Sequence, residues 1–287
     1  MSEEKRWPLS VRDISNGKEN NPVSFVNELD DEQLPIFTYT AQNVAGEGAA
    51  DEDFTTTYEG CACKSTKCDS TCPCITRFGE NYSAEGTLLL TCHKKPVVEC
   101  NLLCTCPLNC TNRVVQKGLQ YGLQVFKTRE KGFGVRTLHF VPKSHFVCEY
   151  AGEVISLEEA KKRIPTIMSM DCNYIFVLKE HVKKGEILHT VIDPTYTGNV
   201  GRFINHSCSP NLLMVPVRTH CVLPQLCLFS SRDIYPMEEL CYNYSSSNLE
   251  GQQCIRESRD LIINRKPCYC NSSTCEAVLP TDPFLFN

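Results

Sequence analysis

The sequence predicts a mainly β fold with few short helices, an N-terminal zinc–cysteine cluster and a C-terminal zinc site. Three observations lead there. Between about residues 114 and 244, short β-type runs alternate with turn signals. Only two stretches in that region carry helical signals. The 20 cysteines fall mostly into tight groups on either side of those runs.

At 287 residues the chain can form one large domain or two ordinary ones. Its 41% hydrophobic and 22% charged residues are those of a soluble globular protein. Met1–Ser10 is charged and lacks the apolar core of a signal peptide. No apolar run nears the ~20 residues that a membrane span needs. The expectation is an intracellular chain with no membrane association. In a reducing compartment, clustered cysteines hold metal more often than they form disulfides, which sets a secreted disulfide scaffold aside. The net charge of −5 argues against strong direct DNA binding. It suits a basic partner, or simply serves solubility.

Taken in order, residues 1–35 are polar and mixed in charge, with Asn20-Asn21-Pro22 and the acidic run Glu28-Leu29-Asp30-Asp31-Glu32. They predict a disordered tail. Trp7 is an anchor or a stray exposed ring.

Residues 36–114 form the first cysteine module. Cys61-x-Cys63-x4-Cys68-x3-Cys72-x-Cys74 is followed by Cys100-x3-Cys104-x-Cys106-x3-Cys110, with Cys92 unmatched between them. Three zinc ions have twelve coordination slots. Nine thiolates fill them if six are terminal and three bridge. The alternatives are two four-cysteine sites with two thiols spare, or disulfides. Either metal arrangement makes folding of the module depend on zinc.

Residues 115–244 carry the β-type runs Leu123–Lys127, Gly134–Leu138, Phe146–Tyr150, Tyr174–Leu178, Leu188–Ile192, Leu212–Val217 and Leu226–Phe229. Lys131-Gly132 and Asp193-Pro194 read as turns between them. Ser156-Leu157-Glu158-Glu159 is a capping box, predicting a helix to about Arg163 that Pro165 stops. A second short helix is expected over Gly198–Asn205. Residues 245–263 read as a polar linker with one helical turn near Ile255–Leu261.

Residues 264–280 hold Cys268, Cys270 and Cys275. Three thiolates are one short of a zinc tetrahedron. Cys208, in Gly201-Arg202-Phe203-Ile204-Asn205-His206-Ser207-Cys208, is the candidate fourth. A shared metal would clamp the C-terminal segment over Asn205 and His206, beside Glu239-Leu240-Cys241-Tyr242-Asn243-Tyr244.

Lys131-Gly132-Phe133-Gly134, Glu149-Tyr150-Ala151-Gly152-Glu153, Asn205-His206-Ser207-Cys208 and Glu239 to Tyr244, in this order, resemble the SET-domain protein lysine methyltransferases. The two cysteine groups resemble the pre-SET module and the last three cysteines the post-SET module. The resemblance covers about residues 59–280. It implies the β-clip-like SET fold of small sheets with a threaded C-terminal segment, which periodicity alone does not reveal.

It also implies S-adenosylmethionine as methyl donor and zinc in both modules, three ions in the first and one in the second. The turn at Lys131, Gly132 and Phe133 would hold the methionine end of the donor. Asn205 and His206 would bind it, with Arg202 lining the pocket. Tyr174, of the pair Asn173-Tyr174, would pack on the donor and on the target amine. Tyr244 would orient the amine. Tyr242 would limit the product to mono- or dimethyl-lysine. The implied metal ligands are Cys61, Cys63, Cys68, Cys72, Cys74, Cys100, Cys104, Cys106, Cys110, Cys208, Cys268, Cys270 and Cys275. Asn243, Phe133 and Asn271 stand where the family more often has aspartate, tryptophan and glycine. Asparagine tolerates the positive φ that a glycine position would ask for.

A lysine with pKa near 10.4 is only about 0.1% neutral at physiological pH, a handicap of roughly 4 kcal/mol. A sulfonium about 4 Å away, at an effective dielectric near 20, disfavours the ammonium by about as much. A dedicated general base is therefore not required. The implied partner is the histone H3 tail on the nucleosome, in the nucleus and on the chromosome. One branch of the family suggests lysines 36 and 4 of H3. The paired zinc modules resemble the branch that marks lysine 9. A catalytically silent chromatin-binding module is the alternative from another class, against which Asn205, His206 and Tyr244 argue.

Overall fold

The computed structural model describes residues 9–89, 96–169, 173–181, 186–245 and 266–280. In chain order the elements begin with β1 (Leu9–Val11), β2 (Val23–Asn27), β3 (Thr38–Tyr39), β4 (Val44–Ala45), α1 (Asp51–Thr55), α2 (Pro73–Phe78) and β5 (Val97–Val98). They continue with β6 (Leu123–Lys127), β7 (Phe133–Thr137), β8 (Phe146–Tyr150), β9 (Gly152–Ile155), α3 (Leu157–Ser169), β10 (Phe176–His181) and β11 (Ile187–Gly198). β12 (Asn205–His206), β13 (Leu212–Arg218), β14 (Gln225–Ser230) and β15 (Glu239–Tyr242) complete the series. No helix among the described residues is long and apolar enough to cross a membrane.

Three small sheets divide the strands. One runs β1-β2-β6-β7-β15-β12, a second β10-β11-β9-β4, and a third β5-β13-β14-β8. β6 and β8 occupy the residues that their apolar patterning predicts. The sheets share a core built from Leu123, Val125, Val135, Ile204, Leu240 and Leu228, all at most 1% exposed. In the first sheet, β12 lies parallel to β15, with Asn205 opposite Cys241 and His206 opposite Tyr242. Asn211 fastens the crossing: its amide donates to the Glu239 carbonyl at 2.8 Å and its Oδ1 accepts from the Cys241 N–H at 2.8 Å. Two segments far apart in sequence thus form one narrow corner.

The expected disordered tail over residues 1–35 does not hold from residue 9 onward. β2 pairs parallel to β6, with Val23 opposite Leu123 and Phe25 opposite Val125. Val23 and Phe25 are 0% and 2% exposed. The alternation Val23-Ser24-Phe25-Val26 is a half-buried strand pattern that the surrounding polarity masks. Burying two such side chains contributes several kcal/mol, about 1.5–3 each. Trp7 lies outside the described residues, as do Cys92 and the helical turn expected near Ile255–Leu261.

Pro165 does not stop α3 at Arg163. Ser156 caps the helix as its sequence predicts, its Oγ accepting the Glu159 N–H at 3.1 Å. The helix then continues through Pro165 to Ser169. Pro165 is exposed, while Ile164 and Ile167 on the inner face are 7% and 1% exposed. Their burial offsets the roughly 3 kcal/mol that an interior proline costs. Arg163 ties the helix to the second sheet, with ion pairs to Glu153 at 2.6 Å, Glu159 at 2.9 Å and the fully buried Asp193 at 2.9 Å.

Asp193-Pro194 is likewise not a turn between strands. It lies inside β11, where the register against β9 shifts between Asp193 and Gly198. Such a bulge admits a proline because the local ladder is already broken. The short helix expected over Gly198–Asn205 is a single 3₁₀ turn, Val200–Phe203, capped by the Asn199 side chain. It frees Asn205 and His206 to extend as β12.

Candidate active site and metal centres

The site begins at the turn between β6 and β7. Thr128 closes it: its N–H donates to the Gly132 carbonyl at 2.8 Å and its Oγ1 accepts from the Lys131 N–H at 2.9 Å. Gly132 has φ +67°, open to glycine at little cost. Gly134 is needed for a different reason. A Cβ there would stand 2.9 Å from Glu239 Oε1 and 3.1 Å from Asn205 Nδ2. Those two atoms are themselves hydrogen-bonded at 3.0 Å, and Asn205 Nδ2 also donates to the Phe133 carbonyl at 3.1 Å. Lys131 Nζ reaches the other Glu239 oxygen at 2.6 Å.

Arg202 forms a second wall. Its guanidinium donates to the carbonyls of Pro194 at 2.9 Å and Thr195 at 3.1 Å. It stands 4.5 Å from the rings of Phe37 and Tyr174 and 4.9 Å from that of Phe203. These contacts are attractive because each ring face is electron-rich. Phe133 extends the aromatic wall, meeting Phe25 and Phe203 edge-on at 5.8 and 6.2 Å.

The third wall is a row of tyrosines. Tyr244 donates its hydroxyl to the Ile204 carbonyl at 3.0 Å. The Tyr242 ring lies 4.9 Å from Tyr244 and 6.1 Å from Tyr150, whose own hydroxyl donates to the Tyr174 carbonyl. Burial pushes the phenols of Tyr242 and Tyr244 well above their usual range, so both stay protonated donors. His206 accepts the Tyr244 N–H on Nδ1 at 3.2 Å, and burial keeps the ring neutral by lowering its pKa. Nε2 therefore carries the proton, facing Cys208 Sγ at 3.3 Å.

Cys208 Sγ lies 4.0 Å from Cys268 Sγ, and the sulfurs of Cys208, Cys268, Cys270 and Cys275 are all within 4.8 Å of one another. Four thiolates bound to zinc at about 2.3 Å are spaced by about 3.8 Å, so this set suits that ion. Asn271 has φ +54°, as its place between Cys270 and Ser272 anticipates.

The nine cysteines of the first module are also brought together. Neighbouring sulfurs stand at 3.9 Å for Cys61–Cys68, 3.8 Å for Cys68–Cys100, 3.7 Å for Cys74–Cys104 and 3.5 Å for Cys68–Cys110. Disulfides would need about 2.05 Å. Among the described residues, three metal-sized sets occur: Cys61, Cys63, Cys68, Cys72; Cys61, Cys74, Cys100, Cys104; and Cys61, Cys68, Cys100, Cys106. They overlap at Cys61, Cys68 and Cys100.

The structure thus gathers Lys131, Gly132, Phe133, Tyr174, Arg202, Asn205, His206, Tyr242 and Tyr244 around one corner. Three participants had no role legible in the sequence. Phe37 faces Arg202, Glu239 links Lys131 to Asn205, and the Ile204 carbonyl receives Tyr244. Only the second Gly of Gly132-Phe133-Gly134 hinted at Glu239, as a place where a side chain would collide.

The SET domain family profile matches residues 132–245 and the Pre-SET motif profile residues 15–113. The chain is 45% identical over 295 residues to the mouse histone-lysine N-methyltransferase SETMAR, covering 99% of this chain and 94% of that protein. It is 34% identical to SUVH6 of Arabidopsis thaliana, an H3 lysine-9 specific histone-lysine N-methyltransferase, over 94% of this chain and 36% of that one. The crystal structure of the human SETMAR methyltransferase domain superimposes with a TM-score of 0.82 at 44% identity, covering 95% of this chain and 98% of that one. The structure of SUVH6 in complex with S-adenosylmethionine gives a TM-score of 0.75 at 34% identity, over 94% of this chain and 55% of that one. With its sheets, its paired cysteine sites and these relatives, the chain belongs to the SET-domain histone-lysine N-methyltransferases, enzymes that depend on S-adenosylmethionine.

Proposed function

We propose that the protein mono- and dimethylates lysine of the histone H3 tail, with lysines 36 and 4 favoured. The observation that carries the reading is the corner itself, where Tyr244, Tyr242, His206 and Asn205 meet on two parallel-paired segments. Among the described residues no hydrogen bond reaches Asn205 Oδ1, which leaves an acceptor that fits a bound methyl donor. Bound S-adenosylmethionine supplies a sulfonium methyl, whose positive charge favours the neutral form of the amine it faces.

This chain's residues do the rest. Lys131, Gly132 and Phe133 border the methionine end, and Asn205 and His206 hold the donor between them. Arg202, fixed by two carbonyls and its aromatic neighbours, keeps one wall rigid. Tyr174 packs against donor and target amine. Tyr244 orients that amine, and the ring of Tyr242 limits the room left for added methyls. Rate then comes chiefly from positioning and from fixed dipoles.

The overlapping thiol sets support three zinc ions in the first module. Cys61, Cys68 and Cys100 bridge. Cys63 and Cys72, Cys74 and Cys104, and Cys106 and Cys110 serve as terminal pairs. A fourth ion joins Cys208 to Cys268, Cys270 and Cys275. The net charge of −5 favours a basic histone tail over the phosphate backbone, and such a substrate places the enzyme in the nucleus on chromatin. The likeness to SUVH6 keeps lysine 9 of H3 as the second reading.

The deciding experiment incubates the zinc-loaded protein and labelled donor with nucleosomes carrying single lysine-to-arginine changes in H3, beside Tyr244→Phe. Reduced label with lysine 36 or 4 changed supports the proposal, and reduced label with lysine 9 changed moves it to the second reading. Label undiminished on every variant, and on one with lysines 4, 9 and 36 all changed, sinks the H3 assignment.

A further inference from the structure

We propose that Glu239 is a positioning residue for the methyl donor: it fixes the orientation of the Asn205 amide and neutralises Lys131 at the donor's amino-acid end. This rests on the donor-binding reading above. Asn205 can present either its oxygen or its nitrogen to a ligand, and the amide alone does not decide which. Here the partners decide. The Phe133 carbonyl at 3.1 Å and the Glu239 carboxylate at 3.0 Å can only accept, so Nδ2 faces both and each amide proton has a partner. Oδ1 is turned outward as an acceptor. The methionine end of the donor, expected at the Lys131–Phe133 turn, offers one donor group, the α-ammonium. An acceptor oxygen matches it, whereas an amide nitrogen would oppose it.

The second Glu239 oxygen holds Lys131 Nζ at 2.6 Å, and both side chains are mostly buried, at 20% and 24% exposed. Without the carboxylate, an uncompensated ammonium would sit beside a pocket built for a molecule of net positive charge, with a sulfonium and an ammonium against one carboxylate. The cost rises as the site loses water. Gly134 shows that the arrangement is tightly fitted. Any Cβ at that position would press on Glu239 Oε1 at 2.9 Å and on Asn205 Nδ2 at 3.1 Å.

Calorimetric titration of the zinc-loaded protein tests this with two ligands. S-adenosylhomocysteine keeps the amino-acid end, and 5′-methylthioadenosine lacks it. In Glu239→Gln the amide of Asn205 can turn over and Lys131 loses its counter-charge. S-adenosylhomocysteine should then bind roughly ten- to a hundredfold more weakly, as expected for a hydrogen bond to a charged group. Methylthioadenosine should change less than about threefold, well below that range. Adding Lys131→Met to Glu239→Gln should recover part of the loss. Gly134→Ala, which crowds the same two atoms, should show the same selectivity and serves if Glu239→Gln does not fold.

Equal losses for both ligands, or none for S-adenosylhomocysteine, would overturn the proposal. No recovery with Lys131→Met would remove its charge component. A wild-type protein that binds neither ligand would instead defeat the donor-site reading itself.

Discussion

Tyr242 and Tyr244 are two residues apart and both protonated, yet their surroundings differ. Tyr244 reaches a backbone carbonyl, whereas the Tyr242 ring is wedged between Tyr150 and Tyr244 at 4% exposure. Removing the Tyr242 hydroxyl should therefore enlarge the space around the amine more than it disturbs packing. Tyr242→Phe is expected to shift products toward trimethyl-lysine by mass spectrometry, and an unchanged distribution would refute its assigned role. A second residue sets a pH dependence. Burial pushes the Glu149 carboxyl from 4.5 up to about 8, with Glu19 adding to the shift. Glu19 itself is raised to about 7, again by burial first. The unfolded chain loses the Glu149 proton near 4.5 and the folded one near 8, so the folded state binds more protons in between. Stability falls as pH rises through that window. Glu149→Gln should gain in melting temperature over the wild type, by more at pH 8.5 than at pH 6; a gap that does not change with pH would rule this out. The sequence exposed the tyrosines, Asn205 and His206 because a compact motif carried them. It carried Glu239 in one of those motifs without showing its role, which depends on Lys131 and Asn205 far along the chain, and it hid Phe37, whose side chain carries no local signature.

At the scale of elements, local signals worked where they faced no competition. Ser156 caps α3 as expected, and Ser156→Ala should cost about 1 kcal/mol of stability. Denaturant unfolding would show this as a lower midpoint with an unchanged slope, and a midpoint equal to the wild type's would show that the cap is dispensable. Pro165 misled because helix propensity is a small term beside the burial of Ile164 and Ile167. Asp193-Pro194 misled because a bulge and a turn use the same residues. β12 and β15 are too short for any periodicity, four residues at most, and only their pairing with each other makes them strands. Asn243 shows how a departure can be absorbed. Its Oδ1 accepts from the Ser245 N–H at 3.0 Å and hydroxyl at 2.7 Å, a task that either an amide or a carboxylate performs.

For the molecule as a whole, cysteine spacing foretold that thiol sets able to hold zinc flank the catalytic sheets, while the threaded corner came only from resemblance. The hydrogen bond from His206 toward Cys208 couples the last metal set to the Tyr244 backbone. Chelation should therefore abolish methyl transfer and unfold the first module, whereas reductant alone should change neither, as read by activity and circular dichroism. Elemental analysis should find about four zinc ions per chain, the number that thirteen thiolates hold with three of them bridging. Full activity after zinc is stripped would break the link between the two sites.

The parallel pairing of β2 with β6 has a further consequence. Val23 leaves the ribosome roughly a hundred residues ahead of its partner Leu123. Until then its apolar face has nowhere native to go, and β15 and the closing cysteines emerge later still. Assembly of the donor pocket is thus deferred until Cys268, Cys270 and Cys275 have been made, and until then that early strand is open to non-native contacts.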